Sequence, residues 1–262
     1  MILDEILTNT RSEVRERQSK VPIEAIRRHA EQSGPPRDFA AALQGSTVAL
    51  IAEIKRASPS RGSLREIKEP VSIAQEYAMS GAAAISVLTD SRYFRGSLDD
   101  LLSVRGAVSL PVLRKDFTLT EYQVFESKAE TADAILLIVR ALDDPQMRDY
   151  LSLAEGLGLS AVVEVHDEGE VERALKAGAR IVGINNRNLA DFTVDLATTE
   201  RLARYVPADR ILVAESGVHT RGDVDRVAQV GVNAILVGEA LMRSTDMKQA
   251  VRELTAVQRN ER

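Results

Sequence analysis

Eight short apolar runs constrain the fold of this chain more than any other feature of its sequence. They are rich in Val, Ile, Leu and Ala, and they span residues 48–54, 83–88, 110–113, 134–138, 161–165, 181–184, 210–214 and 234–237. A parallel strand that is buried on both faces reads as such a nearly continuous apolar run. Stretches with helical spacing lie between the runs, and some of them end at a glycine such as Gly81 or Gly178. This alternation predicts parallel β/α units, and eight of them favour a single (β/α)8 TIM barrel of the α/β class.

An open, doubly wound sheet is the alternative fold, because it also alternates strands and helices. No Gly-x-Gly-x-x-Gly follows the first run, as it would in a dinucleotide-binding sheet. Polar residues follow at least five of the runs, whereas an open sheet would gather them where its strand order reverses. We therefore expect a barrel over residues 47–262, with its active site at the rim formed by the carboxyl ends of the strands.

Residues 1–46 precede the barrel and are predicted to form a helical extension. An apolar stripe at helical spacing is formed by Ile2, Leu3, Ile6 and Leu7. A second short helix is predicted over residues 22–30, and Gly34-Pro35-Pro36 would break it. A barrel needs no such segment, so the extension could plug the bottom of the barrel or contact another subunit.

Composition argues against several classes of protein. The formal net charge of -5 argues against a nucleic-acid partner, which requires a basic surface. The chain has no cysteine, which excludes thiolate catalysis, disulfides and thiolate metal sites, and its histidines (His29, His166 and His219) are scattered. Residues 1–20 hold no apolar signal core, and no apolar stretch approaches the roughly 18 residues of a membrane span. We expect a soluble cytoplasmic protein without metal, nucleic-acid or membrane partners.

Glu53 and Lys55 close the first apolar run. Because they are two residues apart on a strand, their side chains point to the same face. Both charges are costly to bury without a partner, so the barrel mouth suits them better than the packed interior; the alternative is an exposed ion pair. The loop that follows, residues 55–62, carries two serines and three cationic side chains, which suits an anion but is also ordinary for a surface loop.

Lys115 and Glu164 follow the third and fifth runs and form a candidate acid–base pair. A lysine ammonium in a cleft can donate a proton to a developing alkoxide, and we expect partial burial to lower its pKa from about 10.4. Phe94 and Phe117 could flank an aromatic substrate, although core packing is the ordinary role of an isolated phenylalanine. His166 is expected to be a hydrogen-bonded structural histidine.

Glycine-containing turns follow the last two runs. They are Ser216-Gly217 and Gly238-Glu239, and residues 239–243 could form a short extra helix. Barrels often bind a phosphate at these two loops through backbone N–H groups and a helix N-terminus. A glycine after a strand is also common in ordinary turns. The prediction of a phosphate site therefore depends on finding glycine at both loops.

These segments together resemble the indole-3-glycerol phosphate synthase family. The resemblance runs in order from about residue 48 to residue 240, through the segments Ile51-Ala52-Glu53-Ile54-Lys55-Arg56-Ala57-Ser58-Pro59-Ser60, Tyr93-Phe94-Arg95-Gly96-Ser97, Pro111-Val112-Leu113-Arg114-Lys115-Asp116-Phe117, Leu136-Leu137-Ile138-Val139, Glu164-Val165-His166, Gly183-Ile184-Asn185-Asn186-Arg187-Asn188-Leu189, Ala214-Glu215-Ser216-Gly217-Val218 and Leu236-Val237-Gly238-Glu239. Residues 1–46 are similar to the family's N-terminal extension in character only. In the family this extension covers the barrel mouth and helps to bind substrate.

The resemblance implies closure of the indole ring of 1-(o-carboxyphenylamino)-1-deoxyribulose 5-phosphate, with loss of carbon dioxide and water and with no cofactor. It implies that Lys115 is the general acid at the ketone oxygen, that Lys55 is a second acid, and that Glu53 and Glu164 handle protons and position the lysines. Substrate contacts are implied for Ser58, Phe94, Phe117, Asn185, Arg187, Leu189, Glu215 and Ser216. Phosphate contacts are implied for Gly217, Gly238 and Glu239.

Two other functions compete with this interpretation. Phosphoribosylanthranilate isomerase resembles the chain in fold, but that family uses a catalytic cysteine, which is absent here. A non-catalytic barrel that binds a phosphorylated metabolite would need the glycines but not the pair formed by Lys115 and Glu164. The expected partner is one small phosphorylated aryl-amino sugar, bound by a monomer or a weak homo-oligomer.

Overall fold

The computed structural model describes residues 2–59, 62–64, 67, 69–188 and 191–262, and in this part of the chain eight parallel strands close into a barrel. We number the barrel strands in chain order as β1 (Ala49–Ile54), β2 (Ala84–Leu88), β3 (Val112–Lys115), β4 (Ala134–Ile138), β5 (Ser160–Val165), β6 (Ile181–Asn185), β7 (Ile211–Glu215) and β8 (Ala234–Val237). Each strand pairs with the next one along the chain, and β8 pairs with β1. The predicted (β/α)8 barrel is confirmed.

Helices alternate with the strands and cover the outside of the barrel. Before β1 come α1 (Ile2–Lys20), α2 (Ile23–Gln32) and α3 (Phe39–Ala42); after it come α4 (Pro70–Ser80), α5 (Leu98–Ala107), α6 (Glu121–Ala129), α7 (Asp144–Gly156), α8 (Glu168–Ala177), α9 (Ala197–Ala203), α10 (Arg221–Ala228), α11 (Glu239–Arg243) and α12 (Met247–Leu254). Gly81 ends α4 in the left-handed conformation, with φ of 110°, as the sequence predicts. Among the residues described, no helix is both long enough and apolar enough to cross a membrane.

The strand bounds agree with the predicted runs to within two residues, and β3 differs most. The sequence predicts a strand over residues 110–113, whereas β3 runs from Val112 to Lys115. Arg114 and Lys115 stay in the strand because each finds carboxylates: Arg114 faces Asp116 and Glu126 outside the barrel, and Lys115 points inward. A charged residue therefore continues a buried strand where carboxylates, from the residue after the strand or from other elements, pair with it.

The apolar core has two layers, one inside the barrel and one between the strands and the helices. The inner cluster includes Ile51, Leu113 and Val162, and each of these is followed two residues later by a polar residue of the same strand or its end. The outer cluster joins alternate strand residues, such as Ala52 and Val163, to the helices. This alternation follows from the pleat of a strand, which sends successive side chains to opposite faces.

The helical extension contacts the barrel at both of its ends. Ile2, Leu3 and Ile6 of α1 line the cavity at the mouth, whereas Phe39 and Leu43, around α3, belong to the apolar cluster inside the barrel. Between these ends, Arg17 of α1 makes two hydrogen bonds to the carboxylate of Glu126 in α6, at 2.7 and 3.2 Å. The division of the chain into two units at residue 46 stays a prediction.

Candidate active site

Polar side chains from five strands meet inside the carboxyl end of the barrel. Each continues the inward-facing row of its strand, two residues after an apolar or glycine position. They are Glu53 of β1, Lys115 of β3, Glu164 of β5, Asn185 of β6 and Glu215 of β7. The three carboxylates are buried, and the lysine is partly buried. The closed barrel thus places three carboxylates and a lysine in one cavity, although the chain separates them widely.

Lys115 lies between two carboxylates. Its Nζ donates hydrogen bonds to Oε2 of Glu164 and to Oε2 of Glu215, both at 2.9 Å. Burial disfavours the ammonium, but attraction to Glu164, Glu215 and Glu53 outweighs it, and the pKa of Lys115 is raised above its ordinary value. The expected lowering of this pKa is therefore wrong, because burial acts here together with a cluster of opposite charge. Lys115 is therefore held as an ammonium.

Glu164 is held as an anion. Its Oε1 accepts a hydrogen bond from Nδ2 of Asn185 at 3.1 Å and lies 3.4 Å from Nε2 of His166. Burial favours the neutral acid, but Lys115 and His166 outweigh it and lower the pKa of Glu164 to about 2. His166 hydrogen-bonds to Glu170, at 3.0 Å from its Nδ1, as expected of a structural histidine.

The pKa of Glu215 is shifted in the opposite direction, which favours the neutral acid. Burial, together with repulsion from Glu164 and Glu53, outweighs the attraction of Lys115 and raises the pKa of Glu215 to about 7. Its Oε1 is buried and has no hydrogen-bond partner among the described residues. Gly183 leaves room for this oxygen, since a Cβ at that position would lie 2.2 Å from it. The cavity therefore holds two carboxyl groups with different proton affinities on either side of one ammonium.

Glu53 of β1 and Lys55, the residue that follows this strand, form a second lysine–carboxylate pair. Nζ of Lys55 lies 2.6 Å from Oε1 of Glu53, and Oγ of Ser86 donates to Oε2 at 3.5 Å. A Cβ at Gly238 would lie 2.5 Å from Oε1 of Glu53, so the glycine after β8 makes space for this side chain. The next residue, Arg56, forms an ion pair with Asp100 of α5.

The mouth of the cavity has an apolar wall. The rings of Phe94 and Phe117 lie 6.3 Å apart between centroids, and their planes are tilted by 40°. Carboxylate Oδ1 of Asp90 accepts hydrogen bonds from the backbone N–H groups of Tyr93 and Phe94, which fixes the loop that carries Phe94. The first turn and a half of α1 completes this wall, and its apolar stripe is the sequence signal for that contact.

Described residues that follow β6, β7 and β8 also line the cavity. Ser216 and Gly217, which both line the cavity, have positive φ, 65° and 83°. Gly238 precedes the first residue of α11, Glu239, whose carboxylate lies 4.0 Å from Nη2 of Arg187. Because that carboxylate is paired with cationic groups, only the backbone of residue 239 suits an anionic ligand.

Fourteen of the predicted site residues line this one cavity. They are Glu53, Lys55, Ser58, Phe94, Lys115, Phe117, Glu164, Asn185, Arg187, Glu215, Ser216, Gly217, Gly238 and Glu239. Leu189 lies outside the described residues. Sequence reasoning missed Leu88, Phe192 and His219, which also line the cavity and carry no signal apart from their position near strand ends.

The arrangement can bind and protonate a particular kind of molecule. A lysine ammonium flanked by carboxylates supplies a proton donor and acceptors within a buried site. An aromatic wall suits a flat ring, and Lys55, Arg187 and the glycine turns suit anionic groups. Such a site fits acid–base chemistry on a substrate that is aromatic at one end and anionic at the other.

In sequence, this chain matches a family model and curated relatives that carry the same description. The family model described as indole-3-glycerol phosphate synthase matches residues 3–254. A relative from Albidiferax ferrireducens, named indole-3-glycerol phosphate synthase, is 51% identical over 97% of this chain and 98% of its own length. Indole-3-glycerol phosphate synthase 1 of Streptomyces coelicolor is 48% identical over 97% of this chain and 95% of its own length.

Solved structures with low sequence identity share the fold. A 3-hexulose-6-phosphate synthase from Salmonella typhimurium matches with a TM-score of 0.65 and 12% identity, covering 79% of this chain and 96% of that one. A thiamine phosphate pyrophosphorylase from Pyrococcus furiosus matches with a TM-score of 0.60 and 20% identity, covering 79% and 93%. At these identities the likeness supports the barrel and nothing finer.

Proposed function

The chain belongs to the indole-3-glycerol phosphate synthase family, a family of carboxy-lyases in tryptophan biosynthesis, and we propose the reaction path and the roles of its residues. The substrate is 1-(o-carboxyphenylamino)-1-deoxyribulose 5-phosphate. Its ring carbon that bears the carboxylate attacks the ketone, the carboxylate leaves as carbon dioxide, and the resulting alcohol is lost as water. The proposal depends on one observation: the ammonium of Lys115 lies between Glu164 and Glu215 in a cavity with an aromatic wall.

Lys115 is the general acid of the ring closure. As the ring carbon attacks, negative charge develops on the ketone oxygen, and an ammonium in a buried site stabilises this charge and then donates its proton. When the substrate draws Lys115 away from its carboxylates, the raised pKa falls, because the interactions with Glu164 and Glu215 are what sustain it. The lysine therefore becomes more acidic as the substrate enters.

Lys55 and Glu53 form the second acid–base pair, and we assign them to the loss of water. In this assignment the ammonium protonates the departing hydroxyl, and the carboxylate, 2.6 Å from it, takes the proton whose loss restores the indole ring. Glu164 stays anionic and orients Lys115, while Glu215 can hold a proton near neutral pH.

The remaining residues bind the two ends of the substrate. Phe94 and Phe117 pack against the aryl ring, and the half-buried start of α1 closes over it. The phosphate binds the backbone N–H groups of Gly217, Gly238 and Glu239, close to Arg187. Ring closure requires the ketone to lie about 3–3.5 Å from the attacking ring carbon, and we assign this positioning to the contacts at the two ends of the substrate.

The proposal is tested by incubating the protein with the carboxyphenylamino sugar phosphate, without added metal, and following indole fluorescence. We expect turnover by the wild type and a loss of about 10²–10⁴ in kcat for Lys115→Ala, the range for removal of a positioned acid. Lys176→Ala, which changes an exposed lysine of α8, serves as the matched control and keeps wild-type turnover. Near-normal turnover by Lys115→Ala, with a folded protein by circular dichroism, would refute the role of Lys115.

A further inference from the structure

A chain of charged groups, buried except for Arg140 at its outer end, contacts the Glu164 oxygen that does not face Lys115, and the reaction path above does not use it. Nε of Arg140, in the turn after β4, donates to Oε1 of Glu170 at 2.7 Å. Oε2 of Glu170 lies 3.0 Å from Nδ1 of His166, and Nε2 of His166 lies 3.4 Å from Oε1 of Glu164. The side chain of His166 is only 4% exposed, so solvent contributes little to its charge state.

The contacts of Glu170 define which nitrogen of His166 carries a proton. Besides Arg140, Glu170 accepts a hydrogen bond from the backbone N–H of His166 at 2.8 Å. Burial favours its neutral form, but the hydrogen bonds from His166 and Arg140 outweigh it and lower the pKa of Glu170. Because Glu170 is an anion and only accepts, Nδ1 of His166 is the donor in their hydrogen bond. Any change in the charge of the imidazole therefore takes place at Nε2.

Nε2 is buried and has no hydrogen-bond partner among the described residues. An unprotonated Nε2 would turn its lone pair toward a carboxylate oxygen, whereas a protonated Nε2 would meet it as a cation. The charged groups that face the ring are Glu164 from β5, Glu170 from α8 and Arg140 from the turn after β4. Burial disfavours the imidazolium, but the hydrogen bond to Glu170 and the charge of Glu164 outweigh it and raise the pKa of His166.

We propose that His166 is a positioning residue whose proton on Nε2 holds Glu164 as an anion, with Oε1 turned to the imidazole and Oε2 turned to Lys115. Nδ2 of Asn185 also donates to Oε1, so this oxygen has two neighbours and Oε2 is left for the lysine. When the imidazole loses its proton, Glu164 becomes more basic and its orientation loosens. The kinetic consequence rests on the proposed function, whereas the place of the proton does not.

The proton is located by NMR titration of the three histidines, which are His29, His166 and His219. His29 and His219 are exposed and serve as references, and His166→Gln identifies the third signal. We expect the pKa of His166 to lie above the ordinary value of histidine, and Glu164→Gln to lower it by about one unit or more, since an opposite charge at this range has that effect. Glu155→Gln, on the surface of α7, leaves the titration unchanged. A His166 titration that does not respond to Glu164→Gln would overturn the proposal.

The effect on turnover is measured with His166→Gln, with His29→Gln as the exposed control. We expect kcat to fall about tenfold, because groups that orient a functional side chain have effects of this size when they are removed. KM should stay within about twofold of the wild-type value. The ionisation of His166 that NMR detects should appear in the kcat profile of the wild type and be absent from that of His166→Gln. An unchanged kcat profile would show that His166 has only a structural role.

A second variant covers the case in which His166→Gln does not fold. Glu170→Gln keeps the imidazole and an acceptor oxygen but removes the charge behind the ring, so the same ionisation should move to lower pH in both NMR and kcat. If the wild type forms no indole, the proposed function fails while the NMR titration still decides the place of the proton. If the wild type forms indole but neither Glu164→Gln nor Glu170→Gln changes the pKa of His166, the inference about His166 fails and the proposed function stands.

Discussion

At the scale of single residues, Glu215 occupies a space that only glycine at position 183 leaves open. A Cβ there would lie 2.2 Å from Oε1 of Glu215 and 3.1 Å from the side chain of Val162. We expect Gly183→Ala to displace the carboxylate from Lys115, to lower kcat, and to cost about 1–3 kcal/mol in the free energy of unfolding, as overpacking does. Turnover and urea unfolding measure the two effects.

Gly106 provides the control for this substitution. It lies within α5, and a Cβ there would meet nothing within 4 Å. Gly106→Ala should leave kcat unchanged and should raise the free energy of unfolding by about 0.5–1 kcal/mol, the helical preference of alanine over glycine. Equal kinetics for Gly183→Ala and the wild type would mean that the position of Glu215 is not critical.

The raised pKa of Glu215, about 7, predicts a pH dependence of stability. Between its ordinary value and pH 7 this carboxyl stays protonated in the folded protein but ionises in the unfolded chain. The unfolded state is therefore favoured as pH rises through this window, and the contribution to stability that is full at lower pH is lost. Glu215→Gln removes the titrating group. From pH 5 to 7, the free energy of unfolding of this variant should therefore rise relative to that of the wild type by at most about 1.4 kcal/mol per pH unit.

Urea unfolding at pH 5, 6 and 7 measures this difference, and Glu155→Gln on the protein surface provides the comparison. Parallel stability curves for Glu215→Gln and the wild type would show that Glu215 ionises normally in the folded protein.

Lys115 shows why the chemistry of the site could be predicted only in part. The sequence identifies it as a charged residue that follows a buried run, and that is enough to place it at the rim. Its partners come from β5 and β7, separated from it by 49 and 100 residues, and they reverse the expected direction of its pKa shift. Sequence spacing cannot report which groups a closed barrel brings within hydrogen-bond distance.

At the scale of elements, the strands were predictable because burial on both faces leaves an unbroken apolar signal. The signal fails where a strand carries charge that another element neutralises. Arg114 extends β3 because Asp116 and Glu126 of α6 lie 2.9 Å from its Nη2, and the local pattern shows Asp116 but not that Glu126 lies within reach. The position of the helical extension on the barrel was also hard to predict. Its apolar stripe indicates a buried face but does not specify whether that face packs at the mouth or at the bottom of the barrel.

The two ends of the extension should respond differently to mutation. Leu3 lines the cavity mouth, so Leu3→Ala should remove about 1 kcal/mol of apolar contact with substrate and raise KM about fivefold, with little change in Tm. Phe39 is fully buried in the cluster inside the barrel, so Phe39→Ala should cost about 3–5 kcal/mol in the free energy of unfolding, with KM unchanged.

Steady-state kinetics and thermal unfolding of both variants separate these effects, and Leu102→Ala on the exposed face of α5 should change neither. A rise in KM for Phe39→Ala, or a large loss of Tm for Leu3→Ala, would contradict this division of roles along the extension.

At the scale of the whole molecule, closure of the barrel makes the ligand site a property of all its strands. β8 pairs with β1, the loops after β7 and β8 carry the glycine turns, and the extension contacts both the mouth and the interior of the barrel. A ligand bound at the mouth should therefore stabilise the whole chain rather than one part of it.

We expect the product, indole-3-glycerol phosphate, to raise Tm in calorimetry while the chain unfolds in a single transition. At 100 times its Kd, a ligand adds about 2.7 kcal/mol, which corresponds to a shift of roughly 5–10 °C for a chain of this size. Gly217→Ala should reduce the shift, because position 217 has φ of 83° and a Cβ there would lie 2.6 Å from Val194. Two transitions, of which the product moves only one, would show instead that the mouth unfolds independently of the barrel.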